Sequence, residues 1–127
     1  MTKHKHSRLE DFRRYRENMN QRILATGNLD TKRFFGLDSR VYQTGELPES
    51  TKELLGLCAS MALRCDDCIA YHVIRCCEND LSRPQIMETL NIALVVGGSI
   101  VIPHFRRAVE LLDDILGEEP DSPDGDS

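Results

Sequence analysis

Two cysteines and one histidine near the middle of the chain have the spacing of a thiol redox site. Cys65 and Cys68 form a Cys-x-x-Cys pair, and His72 follows four residues after the second cysteine. If the segment from Asp66 onward is helical, Cys68 and His72 lie one turn apart on one face, where imidazole and sulfur can approach each other. Asp66 is a suitable N-cap, which places Cys68 in the first turn, where the helix dipole stabilises a thiolate. The pattern therefore favours redox chemistry.

A simple construction finds a carboxylate that belongs with this group. If two helices joined by a tight turn form an antiparallel pair, residues equidistant from the turn lie level with each other. With the turn centred near residues 62 and 63, Glu53 is level with His72, each roughly 14 Å from the turn at about 1.5 Å per residue. Glu53 could then orient or deprotonate His72, which takes the proton of Cys68. Cys65 is close enough to form a disulfide with Cys68.

The remaining cysteines and His104 have weaker claims to a function. Cys-x-x-Cys alone is also half of many metal sites, and Cys76 extends the helical stripe by four residues. Cys76 nevertheless lies two turns, roughly 12 Å, from Cys68, so this helix cannot close a tetrahedral zinc site. We therefore expect no metal site and assign Cys58, Cys76 and Cys77 to packing. His104, after a proline, could face either the site or a subunit contact.

Apolar residues recur at helical spacing along most of the chain, and no long stretch alternates with period two, so the sequence predicts an all-α fold. Ser7 is a suitable first N-cap, and Gly36 is expected to interrupt or end the second helix. Ser82 begins a capping box that contains a proline. The predicted helices cover residues 7–26, 31–42, 49–63, 66–78, 84–96 and 104–116. Residues 7–117 form one domain, between a flexible segment at 1–6 and an acidic disordered tail at 118–127.

Composition and charge exclude several other classes of protein. The 127-residue chain has a net charge of -5 and no tryptophan, which argues against nucleic-acid binding. Residues 3–22 are locally basic, and we interpret them as a solvated or subunit-contacting helix. No apolar run reaches the roughly 20 residues of a membrane span, and the N-terminal residues lack a secretory apolar segment. We therefore expect a cytoplasmic protein, in which five cysteines are free thiols, metal ligands or a catalytic pair.

The spacing Glu53-x11-Cys65-x2-Cys68-x3-His72 resembles the AhpD-like alkylhydroperoxidases of the carboxymuconolactone decarboxylase type. The flanking sequence KELLGLCASMALRCDDCIAYHV, a Ser-Arg-Pro-Gln helix start and a Gly-Gly bend are also similar, so the resemblance covers residues 45–115. It implies an AhpD-like bundle of about six helices that assembles into trimers or hexamers and needs no cofactor. It further implies that Cys68 is the peroxidatic cysteine, that Cys65 resolves its sulfenic acid, and that Glu53 and His72 relay protons.

Two departures from that family qualify the expectation. Its best-known peroxidases have a histidine immediately before the second cysteine, where this chain has Asp67, whose negative charge disfavours the thiolate. The decarboxylase branch lacks the cysteine pair, so lactone decarboxylation is not expected here. The predicted function is thus a thiol-dependent peroxidase whose partners are a peroxide and an external dithiol or protein thiol. The alternatives are a thiol-disulfide oxidoreductase without peroxide activity, and a non-catalytic helical oligomer with redox-sensing or metal-binding cysteines.

Overall fold

The computed structural model describes residues 3–117, with side chains from Arg8 onward. In that range the chain forms six α-helices and one short 3-10 helix, with no strand, and the all-α prediction is confirmed. The helices are α1 (Lys3–Thr26), α2 (Leu29–Val41), α3 (Glu49–Ala62), α4 (Asp66–Glu78), α5 (Arg83–Gly97) and α6 (Ile102–Leu116), with the 3-10 turn at Ser99–Val101. The predicted acidic tail at 118–127 and the first two residues of the predicted flexible N-terminus lie outside the described range. No helix within residues 3–117 is both long and apolar enough to cross a membrane.

Side-chain caps explain where three of the helices begin, namely α2, α4 and α5. Helix α5 begins with the predicted capping box, in which Ser82 and Gln85 exchange side chain to backbone hydrogen bonds. Two predicted boundaries are wrong. Helix α1 begins at Lys3 rather than after Ser7, and α2 runs through Gly36 without a break. A glycine costs only about 1 kcal/mol in a helix interior, too little to end a helix whose start is capped by Asn28.

Helices α3 and α4 form an antiparallel hairpin, and its turn determines where the cysteine pair begins. The chain leaves α3 through Arg64, whose φ of 62° lies in the left-handed region. The backbone N–H of Cys65 then donates to the carbonyl of Ser60 at 3.1 Å. This hydrogen bond satisfies one of the orphan carbonyls at the end of α3 and directs the chain straight into α4.

The hydrophobic core lies between α3, α4, α5 and α6. Its fully buried members come from all four of these helices and from the 3-10 turn: Leu57, Met61, Ile69, Val73, Cys76, Ile86, Leu90, Ala93, Val101, Ala108 and Leu112. Helix α1 lies outside this core and is attached by ion pairs, among them Arg8 with Asp114 and Arg13 with Glu78. The core holds the α3–α4 hairpin rigid, so side chains on its inner faces have fixed positions.

Candidate active site

The two cysteines of the Cys-x-x-Cys pair are joined by a disulfide at the start of α4. Their Cα atoms are 5.3 Å apart, within the range that a disulfide requires. The sulfur of Cys65 also accepts a hydrogen bond from the N–H of Cys68 at 3.3 Å, so Cys65 is the N-cap of α4. Cys68 is exposed and Cys65 is half-buried. The sulfur of Cys68 is therefore the more accessible of the two to a substrate.

The prediction that Asp66 caps α4 is wrong, because its carboxylate turns toward α6 instead. It accepts hydrogen bonds from Nδ1 of His104 at 2.7 Å and from Nε of Arg107 at 3.1 Å. Burial by itself would raise the pKa of Asp66, but the hydrogen bonds and positive charges of these two partners outweigh it and lower the pKa. His104 thus ties the loop of the cysteine pair to α6 and lies beside the site.

Glu53 and His72 face each other inside the hairpin, as the level-residue construction predicted. Oε1 of Glu53 lies 2.8 Å from Nδ1 of His72, and only 1% and 7% of these two residues are exposed. Glu53 is therefore fully buried, unlike a charged residue on the solvent-facing side of a helix. An ionised carboxylate can only accept a hydrogen bond, so this contact places a hydrogen on Nδ1 of the imidazole.

Arg75 holds the second oxygen of the buried carboxylate. Its Nε lies 3.4 Å from Oε2 of Glu53, while its remaining nitrogens pair with Glu49 and Glu78. The positive charge compensates the burial of Glu53, which would otherwise be costly. Sequence reasoning did not single out Arg75, although it lies three residues after His72 on the same helix and therefore faces the same neighbour.

Tyr42 and Gly56 complete the surroundings of the imidazole, and sequence reasoning missed both. The hydroxyl of Tyr42 lies 3.4 Å from Nε2 of His72, and the ring centroids are 5.3 Å apart. A Cβ atom on Gly56 would come within 2.6 Å of that hydroxyl and 2.7 Å of Cε1 of His72. The glycine inside α3 was the available signal, because an isolated glycine in a helical pattern often marks a close approach. No pattern in the sequence pointed to Tyr42.

The structure thus places the four predicted site residues in two pairs. The Cys65–Cys68 disulfide lies at the start of α4 with Cys68 exposed, and the buried Glu53–His72 pair lies between α3 and α4, with His72 one turn after Cys68. In this disulfide form the hydrogen bonds of the imidazole nitrogens go to Glu53 and Tyr42. A buried imidazole with a carboxylate partner can accept, hold and return a proton, and it lies one turn along the helix from the accessible Cys68.

The other cysteines are placed as packing residues, as predicted. Cys76 is fully buried in the core, and Cys58 and Cys77 pack against it. Burial, followed by the negative charge of Glu53, raises the pKa of Cys76 to about 12. Burial also raises the pKa of Cys77. Both thiols are therefore uncharged and unreactive near neutral pH. Among the side chains described, those of residues 8–117, no group of three or more histidines, cysteines or acidic residues could hold a metal ion.

An all-α fold with a Cys-x-x-Cys pair at a helix start and a buried carboxylate–imidazole pair beside it defines an AhpD-like helical protein. Comparison with known families agrees with this class. The carboxymuconolactone decarboxylase family model matches residues 31–111, and the chain belongs to this family. Uncharacterized proteins of Cupriavidus necator and Paracoccus denitrificans are each 29% identical to it, over 80 and 84 residues. These matches cover 63% and 66% of this chain and 71% and 76% of the two relatives.

Solved structures with the same fold include two crystal structures of one Thermotoga maritima protein. They are 56% and 55% identical to this chain, with TM-scores of 0.82 and 0.80. The alignments cover 84% and 83% of this chain, and 93% and 89% of the other. A carboxymuconolactone decarboxylase family protein of Legionella pneumophila, at 20% identity, shares the fold with a TM-score of 0.78 over 87% of this chain and 98% of its own.

Proposed function

We propose that the protein is a thiol-dependent peroxidase. The observation that carries the proposal is the position of the Cys65–Cys68 disulfide, whose Cys68 is exposed and lies one helical turn from His72 of the buried Glu53–His72 pair. A disulfide between such cysteines is the oxidised product of a two-electron reaction. The buried pair supplies what a thiol needs to react at neutral pH, namely a nearby base for its proton.

The proposed reaction has three steps. In the first, the proton of the Cys68 thiol moves to His72, and the thiolate attacks the O–O bond of a hydroperoxide. The alcohol leaves with the proton that His72 returns, and the sulfur becomes a sulfenic acid. In the second, the thiol of Cys65 attacks this sulfur, so water leaves and the disulfide forms. In the third, an external dithiol or protein thiol reduces the disulfide and is itself oxidised.

The half-buried position of Cys65 suits the resolving role and the exposed position of Cys68 suits the attacking one. One of the Thermotoga maritima structures, 55% identical to this chain, is named for a suggested involvement in antioxidative response. An antioxidative role is what a peroxidase would have. Asp67, next to Cys68, opposes the thiolate by its charge, so we expect a moderate rather than a fast peroxidase.

A thiol-disulfide oxidoreductase is the second candidate, favoured by the exposure of Cys68. In that case the same disulfide would exchange with protein or small thiols, and peroxide would not enter the cycle. A non-catalytic oligomer that uses its cysteines for redox sensing or for metal is the third. Measuring the metal content of protein purified without chelator tests whether the cysteines of such an oligomer bind metal.

Peroxide turnover tests the proposal directly. The reduced protein is mixed with an organic hydroperoxide and a dithiol such as dithiothreitol, and loss of peroxide is followed. The wild type should consume many equivalents, and the Cys68→Ser variant should fall to the uncatalysed rate. Cys77→Ser is the matched control, since Cys77 packs against the core outside the site, and it should retain turnover. A wild type that reduces disulfides but not peroxide would favour the oxidoreductase.

We also propose that the protein is a homo-oligomer, a trimer or a hexamer, with no nucleic-acid or membrane partner. Several large apolar side chains near the α3–α4 turn and the end of α5 are exposed, among them Leu63 (78%), Val95 (84%) and Val96 (72%). Clustered exposure of this kind commonly marks a protein interface. Light scattering coupled to size-exclusion chromatography gives the subunit number, and a monomer at micromolar concentration would contradict the proposal.

A further inference from the structure

The buried imidazole of His72 has a hydrogen-bond partner at each of its two nitrogens. Nδ1 faces Glu53 at 2.8 Å, and Nε2 faces the hydroxyl of Tyr42 at 3.4 Å. The carboxylate accepts the hydrogen of Nδ1, so Nε2 of the neutral ring carries a lone pair. The hydroxyl of Tyr42 is then the donor to Nε2.

Two features of the structure hold Tyr42 in place. The ammonium group of Lys52 donates to the carbonyls of Val41 at 2.8 Å and of Gln43 at 2.7 Å, the residues on either side of the tyrosine. The missing side chain of Gly56 leaves the space that the hydroxyl occupies. Burial, and after it the negative charge of Glu53, raises the pKa of Tyr42, so the hydroxyl keeps its hydrogen at neutral pH.

The groups that face the imidazole differ in what they can do when the ring takes up a second proton. Glu53 on α3, with Arg75 behind it, remains the acceptor at Nδ1. Tyr71, the neighbour of His72 on α4, touches the imidazole through its ring, with centroids 5.2 Å apart. The hydroxyl of Tyr42 can both donate and accept, so rotation of its O–H lets it serve either state of Nε2.

We propose that Tyr42 is a positioning residue that allows the buried imidazole of His72 to hold the proton released by Cys68. The hydroxyl donates to Nε2 while the ring is neutral. The hydroxyl first turns its O–H away from the lone pair of Nε2, and the proton of the thiol then binds there. The hydroxyl oxygen accepts the new N–H, leaving a thiolate on Cys68 and an imidazolium between Glu53 and Tyr42. The origin of the proton rests on the proposed function, whereas the hydrogen-bonding role of Tyr42 does not.

Loss of the hydroxyl would leave the imidazolium with a buried N–H that has no acceptor. A buried unsatisfied donor is unfavourable enough to lower the population of the ion pair by on the order of tenfold. The Tyr42→Phe variant keeps the ring and removes only the hydroxyl. Tyr71→Phe is the matched control, because it removes a hydroxyl from the other tyrosine ring that packs on the same imidazole.

The experiment measures the rate at which iodoacetamide alkylates Cys68 in the fully reduced protein at neutral pH, because only the thiolate reacts. We expect Tyr42→Phe to slow the reaction about tenfold and Tyr71→Phe to change it by less than about twofold.

In parallel, nitrogen-15 NMR of His72 should show hydrogen on Nδ1 in the neutral wild-type ring. In Tyr42→Phe the Nε2 resonance should move toward the position of a free lone pair. An unchanged alkylation rate in Tyr42→Phe, or hydrogen on Nε2 of the neutral wild-type ring, would overturn the proposal.

A second variant covers the case in which Tyr42→Phe does not fold. Lys52→Met keeps the length of the side chain and removes the ammonium group that fixes the backbone around Tyr42. It should change the alkylation rate and the Nε2 resonance in the same direction as Tyr42→Phe, and unchanged values would count against the proposal. Since neither measurement uses peroxide, a wild type that fails to consume peroxide would sink the proposed function and leave the role of Tyr42 to be judged separately.

Discussion

Oε1 of Glu53 lies 2.8 Å from Nδ1 of His72, although 19 residues separate the two along the chain. The contact depends on the α3–α4 hairpin, whose turn brings the two residues level from opposite sides. It is buried, and it is backed by Arg75 on the far side of the carboxylate. This pair is the part of the site whose chemistry can be tested most simply, because its charge can be removed without changing its shape.

The Glu53→Gln substitution should slow peroxide-dependent loss of the Cys68 thiol by about ten- to a hundredfold. The amide oxygen can still accept the Nδ1 hydrogen, but the amide NH2 then meets the Nε–H of Arg75, and no negative charge remains to stabilise a positive imidazole. Stopped-flow thiol quantification measures the rate. Glu49→Gln is the control, because Glu49 pairs with Arg75 at the edge of the same network. Equal rates in the two variants would mean that the buried carboxylate has no special role.

Gly56→Ala should impair the site more than it impairs the fold. The added methyl group would lie within 3.0 Å of both Tyr42 and His72, so one of them must move. The overpacking cost of about 1–3 kcal/mol is partly offset by about 1 kcal/mol of helix propensity. We expect a small loss of thermal stability together with a clear loss of Cys68 reactivity.

Gly36→Ala supplies the matched control, because a Cβ there would meet nothing within 4 Å. It should raise the free energy of unfolding by about 0.5–1 kcal/mol and leave thiol reactivity unchanged. Thermal denaturation followed by circular dichroism, with thiol kinetics on the same samples, checks both variants. A Gly56→Ala protein with wild-type reactivity would show that the imidazole is not as tightly confined as the structure indicates.

The sequence was sufficient to predict the helices, because they follow from short-range periodicity. It was also sufficient to predict that Glu53 lies opposite His72, because that position follows from a single hairpin. It was not sufficient for Tyr42, because the end of α2 reaches His72 through a contact that no local pattern specifies. The prediction that Asp66 caps α4 failed for a related reason. Asp66 is a good N-cap by residue type, but partners on α6, His104 and Arg107, hold its carboxylate. Tertiary contacts between distant elements therefore decided the details that residue preferences left open.

Asp67→Asn should increase the reactivity of Cys68. Removing the negative charge of the neighbouring residue favours the ionised sulfur, and between solvated charges the effect should be at most about 1 kcal/mol, or roughly fivefold. Alkylation kinetics of the reduced protein measure the change. Asp30→Asn is the control, since Asp30 is likewise an exposed acid in the first turn of a helix, α2. A slower reaction in Asp67→Asn would contradict the electrostatic argument.

The Asp66 network should make a pH-dependent contribution to stability. The fold lowers the pKa of Asp66, so its stabilising contribution is complete above the unfolded-state value of about 3.9 and is lost as pH falls through the lower folded value. Because the side chain is 44% exposed, the contribution should stay below about 1 kcal/mol.

Urea unfolding of the wild type and Asp66→Asn across a pH series tests this contribution. The difference in unfolding free energy between them should be largest near neutral pH and shrink below about pH 4. A difference that stays constant, or grows on acidification, would show that the ionised carboxylate is not what the network stabilises.

The most direct test of the proposed peroxidase is intact-mass counting of free thiols after one equivalent of an organic hydroperoxide. The reduced chain has five cysteines, and we expect rapid loss of two thiols, mapped to Cys65 and Cys68. The loss should be slowed in both Cys68→Ser and His72→Ala. Survival of all five thiols in the wild type would contradict the peroxidase and direct attention to disulfide substrates.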